Sequence, residues 1–88
     1  MTQVVVSTSA NRRFIIPFFD DRFIGWLLDK EIQPSEQDID PILIKFLEDE
    51  HKELFYLDGE VIEEVEYTLD PNFYERFDLK YSAKKYNL

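Results

Sequence analysis

The spacing of apolar residues changes once between residues 40 and 69, and this change constrains the fold more than any other feature. Up to residue 51, apolar side chains recur every three or four positions, which is typical of an amphipathic helix. Asp40 and Pro41 are the residue types favoured at an N-cap and at the first helical position. We therefore predict a helix from Pro41 to about His51. A capping pair of Ser35 with Asp38 would start the helix earlier, but Pro41 would then interrupt it.

After residue 54, apolar and polar side chains alternate instead, which predicts strands. Asp58-Gly59 is a type I′ turn signal, so we expect a two-residue hairpin in which residues 55–57 pair with residues 60–62. Beyond the turn, one strand face would carry Val61, Val65, Tyr67 and Leu69, and the other face Glu64, Glu66 and Thr68. Glu63 breaks the alternation, which indicates either a sheet edge or a nearby β-bulge.

The remaining segments predict two strands and a helix before this region, and one strand after it. The runs at 2–7 and 13–17 are each typical of a strand, and we expect them to pair antiparallel. Pro17 cannot donate to a ladder, so it marks a strand end or an edge strand. A helix is predicted from Asp21 to about Lys30, in which a close contact with the sheet would explain Gly25. Residues 77–81 alternate and predict a last strand, followed by a frayed tail at 83–88.

These elements follow one another in the order ββααβββ. They predict an α+β fold in which a mostly antiparallel sheet packs against two short helices. A chain of 88 residues is expected to form a single domain, residues 1–88, with one small core. Its apolar content of 44% argues against intrinsic disorder. The eight phenylalanines, five tyrosines and one tryptophan either fill this core or leave some rings for an interface.

Residue types that carry chemistry are few. The chain has no cysteine, which excludes disulfides, thiolate zinc sites and a cysteine nucleophile. His51 is the single histidine, and near a predicted helix C-terminus it suits a structural role better than a catalytic one. Two glycines cannot build a phosphate loop, and the spacing of a calcium loop is absent. We expect no enzyme, no cofactor and no metal site. Without a signal peptide or a membrane-length apolar run, the chain is expected to be cytoplasmic.

The most distinctive feature of the sequence is its concentration of negative charge. The net charge is −9, and residues 31–70, with fourteen acidic and two basic residues, carry −12. We expect seven acids around the predicted turn to form one negative face that resembles a phosphate backbone: Glu48, Asp49, Glu50, Glu53, Glu60, Glu64 and Glu66. This face would bind another protein that has a basic nucleic-acid-binding surface. In size and charge the chain is similar to small acidic α+β inhibitors of nucleic-acid enzymes, notably phage inhibitors, although it shares no motif with them.

Two alternatives stay open. The acidic face could be a solvated surface that has no partner. Otherwise the chain is a structural or assembly subunit, for example a homodimer, whose exposed aromatic and aliphatic side chains form the interface. Direct nucleic-acid binding is not expected, because it requires a basic face and the basic clusters are small. Binding that weakens with salt would distinguish electrostatic docking from apolar assembly.

Overall fold

The computed structural model describes residues 2–86, which form a three-stranded sheet and three helices. The predicted α+β class is confirmed. In chain order the elements are β1 (Thr2–Thr8), β2 (Arg13–Phe18), α1 (Asp20–Lys30), α2 (Ile39–Glu50), a 3₁₀ turn (Lys52–Leu54), β3 (Ile62–Glu66) and α3 (Phe73–Lys85). The observed order ββααβα differs from the predicted order ββααβββ in two ways: the strand predicted at residues 55–57 is missing, and a third helix replaces the last strand.

Both neighbours of the central strand β1 run antiparallel to it, in the order β2-β1-β3. β1 and β2 form the expected antiparallel pair, with Val4 opposite Ile16 and Val6 opposite Phe14. Pro17 lies within β2, and β2 is an edge strand, which is one of the two positions predicted for this proline. On an edge strand, residues whose backbone faces outward make no hydrogen bond within the sheet. Proline, which has no N–H, therefore loses no bond at such a position.

A bulge in β3 accounts for the misplaced Glu63. The register of β3 against β1 skips Glu63, since its neighbours Ile62 and Glu64 lie opposite consecutive residues of β1. The extra residue reverses the alternation before it, so that Ile62 is buried whereas Val61 is 50% exposed. Both explanations predicted for Glu63 hold, because β3 is an edge strand and carries a bulge, but the placement of Val61 on the same face as Val65 is wrong.

The Asp58-Gly59 turn exists, but the hairpin predicted around it does not. The Glu60 N–H donates to the Leu57 carbonyl at 3.0 Å, which closes a four-residue turn. Gly59 has a positive φ of 75° and Asp58 does not, so the turn has the pattern of type II rather than of type I′. A type II turn splays the flanking chain, and residues 55–57 do not form a strand. β3 pairs with β1 instead.

The strand predicted at 77–81 is wrong, because residues 73–85 form the helix α3. Phe73 and Phe77 lie four residues apart on one helix face and are buried, and Tyr81 stacks on Phe77 with 5.8 Å between ring centroids. Leu79, which a strand would place beside Phe77, is 68% exposed. The helical spacing 73–77–81 thus outweighs the alternation. α3 includes residues 83–85 of the expected frayed tail, whereas residues 87 and 88 lie outside the described residues.

Helix α2 begins at Ile39, earlier than predicted, and Asp40 is not its N-cap. Pro41 is the third helical residue, where it interrupts nothing, because the first four N–H groups of a helix have no intrahelical partner. Just upstream, the backbone N–H and the hydroxyl of Ser35 donate to Asp38 Oδ1 at 2.9 and 2.7 Å. The prediction failed because proline, although most common at the first helical position, is also tolerated at the third, where no intrahelical hydrogen bond is lost.

Helix α1 begins one residue before the predicted start and ends at the predicted Lys30. Glu31 closes it with a left-handed backbone, at a φ of 58°. A Cβ at Gly25 would contact nothing within 4 Å. The expected close contact between Gly25 and the sheet is therefore wrong, and no packing constraint requires glycine at this position.

The three helices pack on one face of the sheet, around Phe23 of α1. Between ring centroids, Phe23 lies 4.9 Å from Phe46 of α2, 5.5 Å from Phe73 of α3 and 5.8 Å from Phe18 of β2. Five of the phenylalanines are buried, so aromatic rings build much of the core.

The opposite face of the sheet is open to solvent. On it lie the alternate residues of each strand, including Ile15 of β2, which is 64% exposed, and Glu64 and Glu66 of β3. Two acids of the predicted negative face thus stand on an uncovered surface beside the sheet edge formed by β3.

Candidate protein-binding surface

The seven predicted acids do not form one face, and the first two of them lie among lysines. Glu48 and Asp49 line a recess that also contains three lysines and an indole: Trp26, Lys30, Lys45 and Lys52. Asp49 accepts a hydrogen bond of 2.9 Å from the Trp26 indole N–H, and this bond is the main reason that the pKa of Asp49 is lowered. The negative charge of these two acids is therefore largely offset locally.

Glu50 is the last residue of α2 and lies near β2, and Glu53 lies in the 3₁₀ turn that follows. Glu50 lines a shallow recess together with Pro17, Arg22 and His51. The carboxylate of Glu53 lies 3.8 Å from Nδ1 of His51. β2 and β3 form the two opposite edges of the sheet, so these two acids lie near one edge, and Glu64 and Glu66 lie at the other.

Glu60 is buried, so its predicted place in the negative face with Glu64 and Glu66 is wrong. Its carboxylate accepts hydrogen bonds from Thr8 Oγ1 at 2.6 Å and from Arg12 Nε at 2.8 Å and Nη2 at 2.5 Å. The bonds from Arg12 outweigh the effect of burial and lower the pKa of Glu60 to about 2. Glu60 is thus an ionised structural group.

The Arg12–Glu60 pair joins two loops that are distant in sequence. Arg12 also donates to the Leu54 carbonyl at 2.6 Å, and its guanidinium lies 4.9 Å from the ring centroids of both Phe14 and Tyr56. The pair therefore ties the β1–β2 turn to the segment that leads into β3. The Glu60 carboxylate is buried whereas Arg12 is partly exposed, so loss of Arg12 would leave a buried negative charge uncompensated.

The remaining acids, Glu64 and Glu66, lie beside a groove between β3 and the first turn of α2. We call this surface the acidic groove, and it is lined by Asp40, Pro41, Ile44, Glu63, Glu64, Val65 and Glu66. No lysine or arginine is among these seven residues. No cation in residues 2–86 forms an ion pair with its four carboxylates. The acidic groove thus holds negative charge that the described part of the chain leaves unpaired.

Two tyrosines show that further acids lie close to the acidic groove. Burial, and then the negative charges of Glu36, Asp38 and Asp40, raise the pKa of Tyr74. The Tyr67 hydroxyl donates to Asp40, and burial together with this bond raises the pKa of Tyr67. The sequence does not reveal this grouping, because Asp40 has the pattern of a helix cap and Glu63 that of a break in the strand alternation. The signal that could have indicated it is the high acid content of residues 36–40.

A second exposed surface is apolar. Tyr56, Leu57 and Val61 surround the Asp58-Gly59 turn and are 72%, 40% and 50% exposed. We call these three residues the apolar tip. Ser9 holds the tip in place, since its N–H donates to the Val61 carbonyl at 2.9 Å and its hydroxyl accepts from the Val61 N–H at 3.1 Å.

Searches for other kinds of site give little. Within residues 2–86, no group of three or more histidine, cysteine, aspartate or glutamate side chains is arranged to hold a metal ion. No helix in this part of the chain is long and apolar enough to cross a membrane. No protein family, no curated protein and no solved structure matches the chain. The acidic groove and the apolar tip are therefore the two features of residues 2–86 that bear on function.

Proposed function

We propose that this protein is a non-enzymatic, acidic protein-binding module whose acidic groove contacts the basic surface of another protein. One observation carries the proposal. Four carboxylates, those of Asp40, Glu63, Glu64 and Glu66, line one groove to which residues 2–86 contribute no lysine or arginine. Elsewhere in the fold, acids such as Glu60 and Asp21 pair with arginines of the same chain.

Unpaired carboxylates at a surface favour a cationic partner for a physical reason. Like charges that lie close together repel one another, and lysines or arginines from a partner relieve this repulsion. The long-range field of such a surface also speeds encounter, so charge acts mainly on the association rate. A chain with a net charge of −9 would meet basic surfaces faster than acidic ones.

A nucleic-acid-binding protein is the partner that this charge pattern fits best. Alternate residues of a strand project at intervals of about 6.6 Å, so Glu64 and Glu66 present a regular row of negative charge, as a phosphate backbone does. A surface built to neutralise phosphates is rich in lysine and arginine. Occupying that surface would inhibit nucleic-acid binding in the cytoplasm, as phage inhibitors of similar size and charge do.

The apolar tip supports a second candidate, a subunit that assembles through aromatic and aliphatic contacts. Tyr56 is 72% exposed although it is held by Arg12, and aromatic residues are enriched in interfaces. Assembly through the tip would depend little on salt and would appear as a dimer in sedimentation.

The test of the proposed function reverses charge at the groove and at a matched site. Glu64→Lys with Glu66→Lys adds four charge units at the groove. Glu75→Lys with Asp78→Lys adds the same four on α3, where both side chains are exposed and neither pairs with a described cation. Proteins captured from a lysate at low salt are identified and purified. Their affinity for each variant, and the competition by DNA, are then measured over a salt series.

We expect the groove variant to lose at least tenfold in affinity, the α3 variant to lose less than threefold, and DNA to compete with the wild type. The affinity of the wild type should fall as salt rises, because the Debye length shortens to about 8 Å at physiological ionic strength. Equal affinities for all three proteins, with no response to salt, would contradict the proposal and favour assembly through the apolar tip.

A further inference from the structure

The direction of the backbone groups in the sheet can be read from two hydrogen bonds next to the end of β1. The Thr8 N–H donates to the Arg12 carbonyl on the β2 side, at 2.9 Å, and the Ser9 N–H donates to the Val61 carbonyl on the β3 side, at 2.9 Å. Backbone groups of successive strand residues point to opposite sides. Ser7 therefore directs its N–H and C=O towards β3, as does every second residue before it.

The same alternation leaves backbone groups of β3 without a partner. Ser7 lies opposite Glu64, and Val5 lies opposite Glu66, so the backbone groups of both glutamates face β1. Val65 lies between them and directs its N–H and C=O outward, beside the acidic groove. No described residue bonds to these outward groups. The outer edge of β3 is therefore an open template for another strand.

The other edge of the sheet is a poorer template for a basic strand. On β2 the residues that direct their backbone outward are Arg13, Ile15 and Pro17, by the same alternation. Pro17 has no N–H to donate. Arg13 would repel a cationic segment laid along this edge.

A second copy of the chain is disfavoured at the β3 edge. Two β3 strands placed side by side would bring the Glu64 and Glu66 side chains of one copy against those of the other. Like charges directly opposite in a sheet are destabilising. Charge complementarity instead selects a segment that carries lysine or arginine.

The two faces of a strand that added to the β3 edge would contact different residues. Side chains on the open face of the sheet would lie next to Glu64 and Glu66. Side chains on the other face would approach Pro41 and Ile44 of α2, which form the apolar part of the groove. A matching segment therefore alternates basic residues with small aliphatic ones.

We propose that the occupant of the acidic groove is an extended segment of the partner protein, with alternating basic and aliphatic residues, which adds to β3 as a fourth strand. The inference rests on the proposed function and names how the partner is bound. Strand addition takes its affinity from main-chain hydrogen bonds and its specificity from alternate side chains.

The experiment uses the full chain and four fluorescent seven-residue peptides, with binding followed by anisotropy. The first peptide alternates lysine and valine, and the second has the same composition with the lysines in one block. The third and fourth repeat the alternating sequence with backbone N-methyl groups on the lysines only or on the valines only. N-methylation removes the N–H groups along one edge of the peptide and leaves the protein unchanged.

We expect the alternating peptide to bind at least tenfold more tightly than the block peptide. One of the two methylated peptides should lose at least tenfold in affinity, and the other should stay within about threefold of the parent. Strand addition would be overturned if the alternating and block peptides bound equally. It would also be overturned if both methylated peptides bound as tightly as the unmethylated alternating peptide.

The charge variant separates this failure from a failure of the proposed function. If all four peptides bind the wild type equally and Glu64→Lys with Glu66→Lys weakens each of them, the acidic groove binds cations but not as a sheet edge. If that variant and the wild type bind every peptide equally, the groove is not the binding surface at all, and both proposals are overturned.

Discussion

At the scale of single residues, Glu60 shows how one side chain can change role between sequence and structure. In the sequence it belongs to an acidic series near a turn, whereas in the fold its carboxylate is enclosed by Thr8 and Arg12. Arg12 lies 48 positions away, and no local pattern connects the two residues. The pair fixes the segment that carries the apolar tip and leads into β3. Its ionisation should therefore control stability rather than binding.

The pH dependence of stability tests this role. Because the pKa of Glu60 falls from 4.5 in the unfolded chain to about 2 in the fold, the pair stabilises the folded state fully above about pH 5. This stabilisation is lost as the pH falls towards 2. Urea denaturation of wild type and Glu60→Gln should give midpoints that differ clearly at pH 7 and by less at pH 3, and that converge only as the pH approaches 2. A difference that is the same at all of these values would show that the carboxylate does not titrate as described.

At the scale of elements, α3 shows which sequence patterns compete. Residues 77, 79 and 81 alternate as in a strand, and residues 73, 77 and 81 recur as in a helix, with aromatic rings common to both patterns. Burial decides between them, because Phe23 of α1 offers a stacking partner to Phe73 at 5.5 Å. A short apolar pattern cannot reveal which distant ring will contact it.

Two alanine substitutions distinguish helix from strand at this position. Phe77→Ala removes a ring that is 2% exposed and should cost about 3–5 kcal/mol, a large share of the stability of a small domain. Leu79→Ala removes a side chain that is 68% exposed and should change stability by less than about 0.5 kcal/mol. Both are measured by urea denaturation followed by circular dichroism. Similar large costs at both positions would indicate that Leu79 is buried, as in a strand.

The sequence predicted the elements whose signals are local. The β1–β2 pair, α1, most of α2 and the bulge at Glu63 follow from side-chain periodicity and from single residues that break it. The pairing of β3 with β1 could not be predicted, because the turn at Asp58-Gly59 signals a local hairpin and the actual partner lies more than 50 residues upstream. The acidic groove was predicted in part: Glu64 and Glu66 belong to it, whereas Asp40 joins it only through the contact between α2 and β3.

At the scale of the whole molecule, different parts of the surface differ in how they are packed and in how their charges are paired. The helices cover one face of the sheet, and Arg76 and Lys80 pair with Asp20, Asp21 and Asp70 around α1 and α3. No cation in residues 2–86 pairs with the four carboxylates of the acidic groove. The central claim is that this end of the molecule, and not the apolar tip, contacts the partner. The two surfaces are separate enough in sequence to be distinguished residue by residue.

The most direct measurement is an amide chemical-shift titration of the ¹⁵N-labelled protein with the alternating lysine–valine peptide at low salt. We predict that the largest shifts fall on residues 62–66 and on residues 39–44 at the start of α2, and that they disappear in Glu64→Lys with Glu66→Lys. Residues 75–78 of α3 should not shift. The claim would be contradicted if the largest shifts fell on residues 55–61, around the apolar tip. Equal shifts in the wild type and in the charge variant would contradict it as well.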